Sequence, residues 1–344
     1  MRIIKYRFHF HKMTSINATY FKGSERSGIV ETHATREPPK GKEVLIKITH
    51  SGICGTDEHY KTADMVLGHE GVGKVLQVGD KVTRFKVGDH VGWGYIHKTC
   101  GTCHECITGE DQYCQNKEMY GTHNFHQGSF GTHAIWEETF LFSIPQGIAP
   151  EHAAPLMCGG ATVFEAIEKY NIRPTERVGV VGVGGLGHLA IQFLRKMGAA
   201  VVVFSSTEGK RKEAMKLGAT EFYATKGVTK FENVKLLDHL LVTTNFVLDW
   251  EPFFPIIRPK GGIFPFTVAN KLEIPAMPII LRGIAIQGTV VSGRAVHEAM
   301  LEFAARNDVR PVVECFPMTR AGVEEGMTRL RDGKMRYRGV LVAQ

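Results

Sequence analysis

The sequence predicts an α/β protein of two domains, one of them built on a doubly wound parallel sheet. Three observations carry that expectation. At 344 residues the chain is long for one compact core. The stretch ERVGVVGVGGLGHLAIQFLRKMGAAVVVFSS at 176–206 runs strand, glycine turn, helix, strand. Further apolar runs then follow at intervals: EFYAT, DHLLVTT, GGIFPFTV and AIQGTVV. Composition is that of an ordinary globular chain, 43% hydrophobic and 22% charged.

The first twelve residues, MRIIKYRFHFHK, are basic and aromatic, and no acid occurs before Glu25. Transit peptides are also acid-poor, but Tyr6, Phe8 and Phe10 alternate with Arg7, His9 and His11 at strand period rather than helical period. Residues 1–12 are therefore expected to be a dispensable extension, with Met13 as the effective start. No secretory apolar segment follows, so the expected compartment is the cytoplasm. The longest apolar stretch, IPAMPIILRGIAIQGTVV at 274–291, is broken by Pro275, Pro278, Arg282 and Gln287, which argues against a membrane span. The net charge of +7 is spread through mixed segments such as KGKEVLIK, GKRKEAMK and RLRDGKMRYR. Nucleic acid is thus not an expected partner.

Next along the chain come SGICGTDEH, with Cys54, and GHEGVGKVLQVGDKV at 68–82, with His69. Cys54, His69 and a distant third ligand could hold a metal and leave one position open. An isolated Cys or His is more often structural, so the residues alone leave both readings standing.

CGTCHECITGEDQYC at 100–114 carries Cys100, Cys103, Cys106 and Cys114. The total of 7 cysteines is odd, a poor disulfide framework for a chain of this size. Cys-x2-Cys-x2-Cys-x7-Cys instead suits a tetrahedral Zn²⁺, with Gly101 and Gly109 allowing tight turns. A redox pair would lack the two further thiols. A nucleic-acid zinc ribbon would separate its knuckles by basic residues, whereas this segment holds Glu105, Glu110 and Asp111. Four thiolates fill the coordination sphere, so this ion is structural and does no chemistry.

Gly182-x-Gly184-x-x-Gly187 directly follows the strand VGVV. Glycines there remove side chains where a pyrophosphate meets the backbone, and the helix N-terminus receives its charge. Arg195, Lys196 and Gly198 close the helix, and AVVVF has the continuous apolar character of a strand buried on both faces. Dinucleotide sites for NAD place an acid at the end of this second strand. Here Ser205 and Ser206 stand there, with Lys210 and Arg211 just beyond. Hydroxyls and a cation welcome a 2′-phosphate, so NADP(H) is expected, although the two cations could merely solvate a helix start. RAVHEAMLEFAARND at 294–308 is an amphipathic helix, and YRGVLVA a closing strand.

From about residue 25 to the C-terminus the chain resembles the zinc-dependent medium-chain alcohol dehydrogenases, most closely their cinnamyl-alcohol-dehydrogenase-like branch. The resemblance rests on CGTDEH, the GHE signature, the four-cysteine lobe, APLMCGGATVF at 154–164, GVGGLG and MRYRGVLV. It implies a GroES-like, mostly-β catalytic domain over 13–158 and 294–344, carrying the lobe at 100–114. A Rossmann NADP-binding domain would span 159–293. Two zinc ions per chain are implied, the catalytic one on Cys54, His69 and Cys158, with Glu70 as an alternate ligand. Thr56 and His59 match the family's proton relay, Asp57 lies beside them at the cleft, and Thr162 matches a contact to the nicotinamide. Gly182, Gly184, Gly185, Leu186 and Gly187 would hold the pyrophosphate, and Ser205, Ser206 and Lys210 the ribose phosphate. Cys315 is left over as a buried thiol, and a homodimer is implied.

The implied reaction moves a hydride between NADP(H) and a small-molecule aldehyde or primary alcohol, with aromatic and allylic compounds among the candidates. A reductase of conjugated C=C or iminium bonds and a polyol dehydrogenase are alternatives, as is, from a different class, a zinc-stabilised DNA-binding protein. The Thr56–His59 relay favours carbonyl chemistry. Two departures bear on the pocket: the segment between Cys54 and His69 is short for this branch, and so is the segment after LDW at 248–250.

Overall fold

The structure is a computed structural model that describes residues 14–246 and 248–343. The expected extension at 1–12 and Met13 lie outside the described residues. Strands Arg177–Val181, Ala200–Ser205, Glu221–Ala224, Leu237–Val242, Ile257–Pro265 and Ala285–Ile286 form one six-stranded parallel sheet. Arg177–Val181 lies between Ala200–Ser205 and Leu237–Val242. The chain therefore reverses its strand order there, and the crevice at the carboxyl ends of these strands is where such sheets take ligands.

Alternation explains why this sheet reads as unbroken apolar runs. Val201 and Val203 enter one core cluster while Val202 and Phe204 enter another on the opposite face. The helix Gly187–Met197 ends at Gly198, whose φ of 106° is the left-handed cap the sequence predicts. AIQGTVV, by contrast, is not a full strand. Only Ala285–Ile286 pairs, on one side, and beyond Gln287 the chain leaves the sheet edge. Between Asp249 and the strand Ile257–Pro265 there is no long helix among the described residues. A single turn, Phe254–Ile256, together with Trp250 and Phe253, buries the apolar side chains against that face.

The second sheet is mostly antiparallel. Its path runs Val313–Pro317, Arg338–Val342, Glu43–Ile53, Gly71–Val78, His90–Trp93 and Phe142–Ser143, with His133–Glu137 also pairing Glu43–Ile53. Arg338–Val342 pairs Glu43–Ile53 in the register Gly339↔Ile53, which sets Arg338 beside the residues leading to Cys54. The helix Arg294–Asn307 packs Val296, Met300, Leu301 and Ala304 into the same core as Val163 and Ile167 of the helix Ala161–Lys169. Cys315, expected to be buried, is exposed: on Val313–Pro317 its neighbour Phe316 takes the inward face. Among the described residues no helix is long and apolar enough to cross a membrane.

Candidate active site

Three separate segments deliver one cluster. Cys54 follows the strand Glu43–Ile53 and opens the short helix Gly55–His59. His69 and Glu70 sit in the turn before Gly71–Val78. That turn requires glycine at 68, where φ is 90° and a Cβ would strike Phe130 and Ser129. Cys158 lies in a π-helical turn, Leu156–Gly160, between the helices Pro150–Pro155 and Ala161–Lys169. The extra residue in such a turn re-aims a side chain without ending the helix. One ligand atom from each of Cys54, His69, Glu70 and Cys158 lies within 4.8 Å of all the others.

The hydrogen bonds around this cluster point its free atoms inward. His69 Nδ1 is 3.0 Å from Asp57 Oδ1, and both side chains are fully buried. The bond leaves His69 Nε2 without a partner. Asp57 Oδ2 accepts from the Cys54 backbone N–H at 2.8 Å, while Tyr120 Oη donates to Oδ1 at 2.9 Å. Asp57 was expected at the cleft; it lies beneath it, as the brace of a ligand. Glu70 Oε1 pairs with Arg338 in a buried ion pair, and Glu70 Oε2 has no partner. Hydrogen bonding from Cys158 holds the Cys54 thiol well below its ordinary range. Burial pushes Glu70 up to about 7, with Arg338 pulling the other way. Two thiols, an imidazole nitrogen and a spare carboxylate oxygen form a donor set that fits Zn²⁺.

Thr56 is half-buried, with Oγ1 3.7 Å from Cys54 Sγ, and His59 is exposed at the end of the same helix. Tyr95 approaches the His69 ring edge-on at 5.5 Å, and Tyr60 packs edge-on against Tyr120 at 5.4 Å. Both tyrosines are partly buried and supply aromatic surface beside the metal ligands.

The four-cysteine lobe is a second, closed cluster. Sulfur–sulfur separations are 3.9 Å for Cys100–Cys106, 3.4 Å for Cys103–Cys106 and 3.7 Å for Cys114–Cys100. A tetrahedron with metal–sulfur arms of about 2.3 Å has edges of about 3.8 Å, so the four thiols fit one zinc ion. Asp111 with Arg294 at 2.6 Å, Gln112 with Glu165 at 2.8 Å and Glu110 with Lys169 at 3.3 Å fasten the lobe to the rest of the molecule.

The glycine-rich turn has the shape of a phosphate cradle. Gly182 has φ 97°, and a Cβ on Gly187 would meet the Gly182 carbonyl oxygen at 2.0 Å. A Cβ on Gly184 would meet nothing within 4 Å, so the space in front of the helix is open. Leu186 occupies the N-cap, and Gly185 lies against the Arg338 side chain. Thr162 Oγ1 donates to the Cys158 carbonyl at 2.8 Å, which ties it to the π turn. Ser205 ends its strand buried and Ser206 is exposed beyond it. Lys210 Nζ lies 3.3 Å from Tyr337 Oη.

Sequence reasoning missed Arg338, Tyr120 and Tyr337. MRYRGVLV marks the family without giving Tyr337 or Arg338 a role, and Tyr120 carries no local signal; Arg338 and Glu70 are 268 residues apart in sequence and meet only through strand pairing.

Comparison with known proteins agrees with this geometry. Residues 40–146 match the family described as Alcohol dehydrogenase GroES-like domain, and residues 185–306 match Zinc-binding dehydrogenase. The chain is 34% identical to the Aldehyde reductase AdhA of Synechocystis, over 87% of this chain and 90% of that protein. It is 31% identical to NADP-dependent alcohol dehydrogenase C 1 of Mycolicibacterium smegmatis, over 96% and 98%. Among solved structures, a cinnamyl alcohol dehydrogenase from Sorghum bicolor superposes with a TM-score of 0.88 at 32% identity, covering 95% of this chain and 98% of that one. With a GroES-like β domain, a parallel nucleotide-binding sheet and two metal-ligand clusters in place, the chain belongs to the zinc-type medium-chain alcohol dehydrogenases, enzymes that move a hydride between a nicotinamide cofactor and an alcohol–aldehyde pair.

Proposed function

We propose that this enzyme is an NADP(H)-dependent reductase of aromatic and allylic aldehydes that also oxidises the matching primary alcohols. The observation that carries this reading is the unequal pair of clusters: one saturated by four thiols, the other with three ligands and a carboxylate held back by Arg338. Relatives named as an aldehyde reductase, an NADP-dependent alcohol dehydrogenase and a cinnamyl alcohol dehydrogenase support the cofactor and the carbonyl substrate. The rings of Tyr95 and Tyr60 favour a planar, conjugated substrate.

Each residue has a task in this account. Cys54, His69 and Cys158 would hold the catalytic zinc, and Glu70 would approach it when released from Arg338. When bound, the zinc supplies Lewis acidity toward the substrate oxygen and the nicotinamide gives or takes the hydride. Asp57 keeps the His69 proton on Nδ1, so that Nε2 stays available. Thr56 Oγ1 would accept the proton leaving an alcohol while passing its own toward the cofactor ribose, and exposed His59 would hand a proton on to water. Thr162 bounds the nicotinamide end, the turn from Gly182 to Gly187 takes the pyrophosphate, and Ser205, Ser206 and Lys210 take the 2′-phosphate. Catalytic parts would come from 13–158 and 294–344, and cofactor parts from 159–293.

Seven free cysteines, most of them placed as metal ligands, support a reducing compartment such as the cytoplasm. The open edge at Ala285–Ile286, with exposed Ile280, Leu281 and Val290 nearby, supports a homodimer. Sedimentation at the monomer mass would sink that assignment. The function is tested by a panel of benzylic, allylic and aliphatic aldehydes run with NADPH and with NADH. The expected result is the highest kcat/KM for conjugated aldehydes with NADPH; saturation of an enal's C=C with its aldehyde left intact would overturn it.

A further inference from the structure

The three residues Arg336, Tyr337 and Arg338 run from the far end of the cofactor site to the catalytic cluster. Arg338 pairs with Glu70 at one end, and Arg336 pairs with Glu213 at 3.0 Å at the other. Between them Tyr337 is buried; its ring meets His188 and Lys210 of the nucleotide-binding half, and Arg336 at 5.5 Å. On one side the His188 ring stacks on it at 5.0 Å, and His188 Nδ1 lies 2.9 Å from the carbonyl of Gly184 in the glycine-rich turn. His188 Nε2 accepts from the Val312 backbone N–H at 3.2 Å. The Val312 carbonyl in turn accepts from the backbone N–H groups of Tyr337 and Arg338. Toward the ribose end, Lys210 Nζ sits over the Tyr337 ring at 4.4 Å from its centroid and 3.3 Å from its hydroxyl.

We propose that Tyr337 is a specificity-determining positioning residue for the cofactor: it fixes the Lys210 ammonium at the end of the second strand, where a 2′-phosphate would lie. This rests on Lys210 being a phosphate ligand, as read above. Lys210 stands one turn beyond Ser205 and Ser206, at the start of the helix Arg211–Leu217. A free lysine side chain would spend rotamer entropy on meeting a phosphate; one already lodged on an aromatic face spends less. Arg336 occupies the nearby Glu213 carboxylate, which would otherwise compete with the cofactor for Lys210. The device is coupled to the pyrophosphate cradle through His188. Burial pulls His188 down to about 3, so it remains the neutral donor–acceptor that its two partners require.

The test is a fluorescence titration of NADPH and of NADH into the zinc-loaded wild type and the variants Lys210→Ala, Tyr337→Leu and Tyr337→Phe. Tyr337→Leu should weaken NADPH by about 3- to 30-fold, the range a lost cation–π contact covers, and leave NADH unchanged. Tyr337→Phe keeps the packing and should cost about two- to tenfold through the hydroxyl alone. Lys210→Ala should lower NADPH preference at least as far as either. If Lys210→Ala lowers that preference while both Tyr337 variants retain it, or if Tyr337→Leu weakens both cofactors alike, the role given to Tyr337 is wrong. An unchanged preference in Lys210→Ala overturns the reading of the phosphate site and this inference with it.

Discussion

In the site proposed above, Asp57 would decide which nitrogen of His69 meets the metal. Its carboxylate takes the Nδ1 proton, is itself gripped by Tyr120 and by the Cys54 backbone, and is wholly buried. Asp57→Asn preserves size but presents an amide that can donate as well as accept, so the tautomer is no longer enforced. Zinc affinity at this cluster should fall about 10- to 100-fold in chelator competition, while the four-cysteine lobe keeps its ion. Equal loss from both clusters, or none from either, would show that Asp57 does not act through His69. The sequence announces the lobe thiols through their spacing, and Cys54 only through the family resemblance. It announces Asp57 only as an acid near a cysteine, because the bond that defines its work is made across the fold.

Elements explain why ligands distant in sequence converge. A strand end, a glycine-permitted turn and a π turn each present one or two side chains, and the pairing of the last strand with Glu43–Ile53 adds Arg338. The nucleotide-binding strands and their helix were legible because their apolar runs and glycine punctuation are local signals. AIQGTVV had the same local signal but formed only two paired residues, since one neighbouring strand and an exposed edge do not extend it. The helix Arg294–Asn307 carries a different consequence. Its His297 is buried, stacks on Phe142 at 3.8 Å, and is pulled down to about 3 by that burial. In the unfolded chain an ordinary histidine titrates near 6.5. Unfolding therefore takes up a proton between those values, and the stability present above about pH 6.5 is lost as pH falls toward 3. His297→Phe removes this group. The slope of unfolding free energy against pH near 5 should flatten by about 1.4 kcal/mol per pH unit, one proton's worth. A slope matching the wild type would mean that His297 titrates normally in the native state.

At the scale of the whole molecule, the two metal clusters differ in what their geometry leaves free. The lobe is closed by four sulfurs and fastened through Asp111–Arg294 and Gln112–Glu165, so its ion holds shape. The other cluster has an unpartnered imidazole nitrogen, two thiols and a carboxylate restrained by Arg338, and its turn Leu156–Gly160 lies against Leu186 of the glycine-rich turn. Fold class and the four-cysteine lobe could be read from residue order, whereas the pairing of Cys54 with Cys158 came only with the family resemblance. The link between cofactor and metal through residues 336–338 could not, because it exists only once the C-terminal strand has crossed between the two halves. The most direct test of this division is the zinc-to-protein ratio of His69→Ala beside that of the wild type, with NADPH affinity and turnover measured on the same samples. The account predicts a fall from two zinc ions to one, NADPH binding retained and turnover abolished; two ions and an active variant would contradict it.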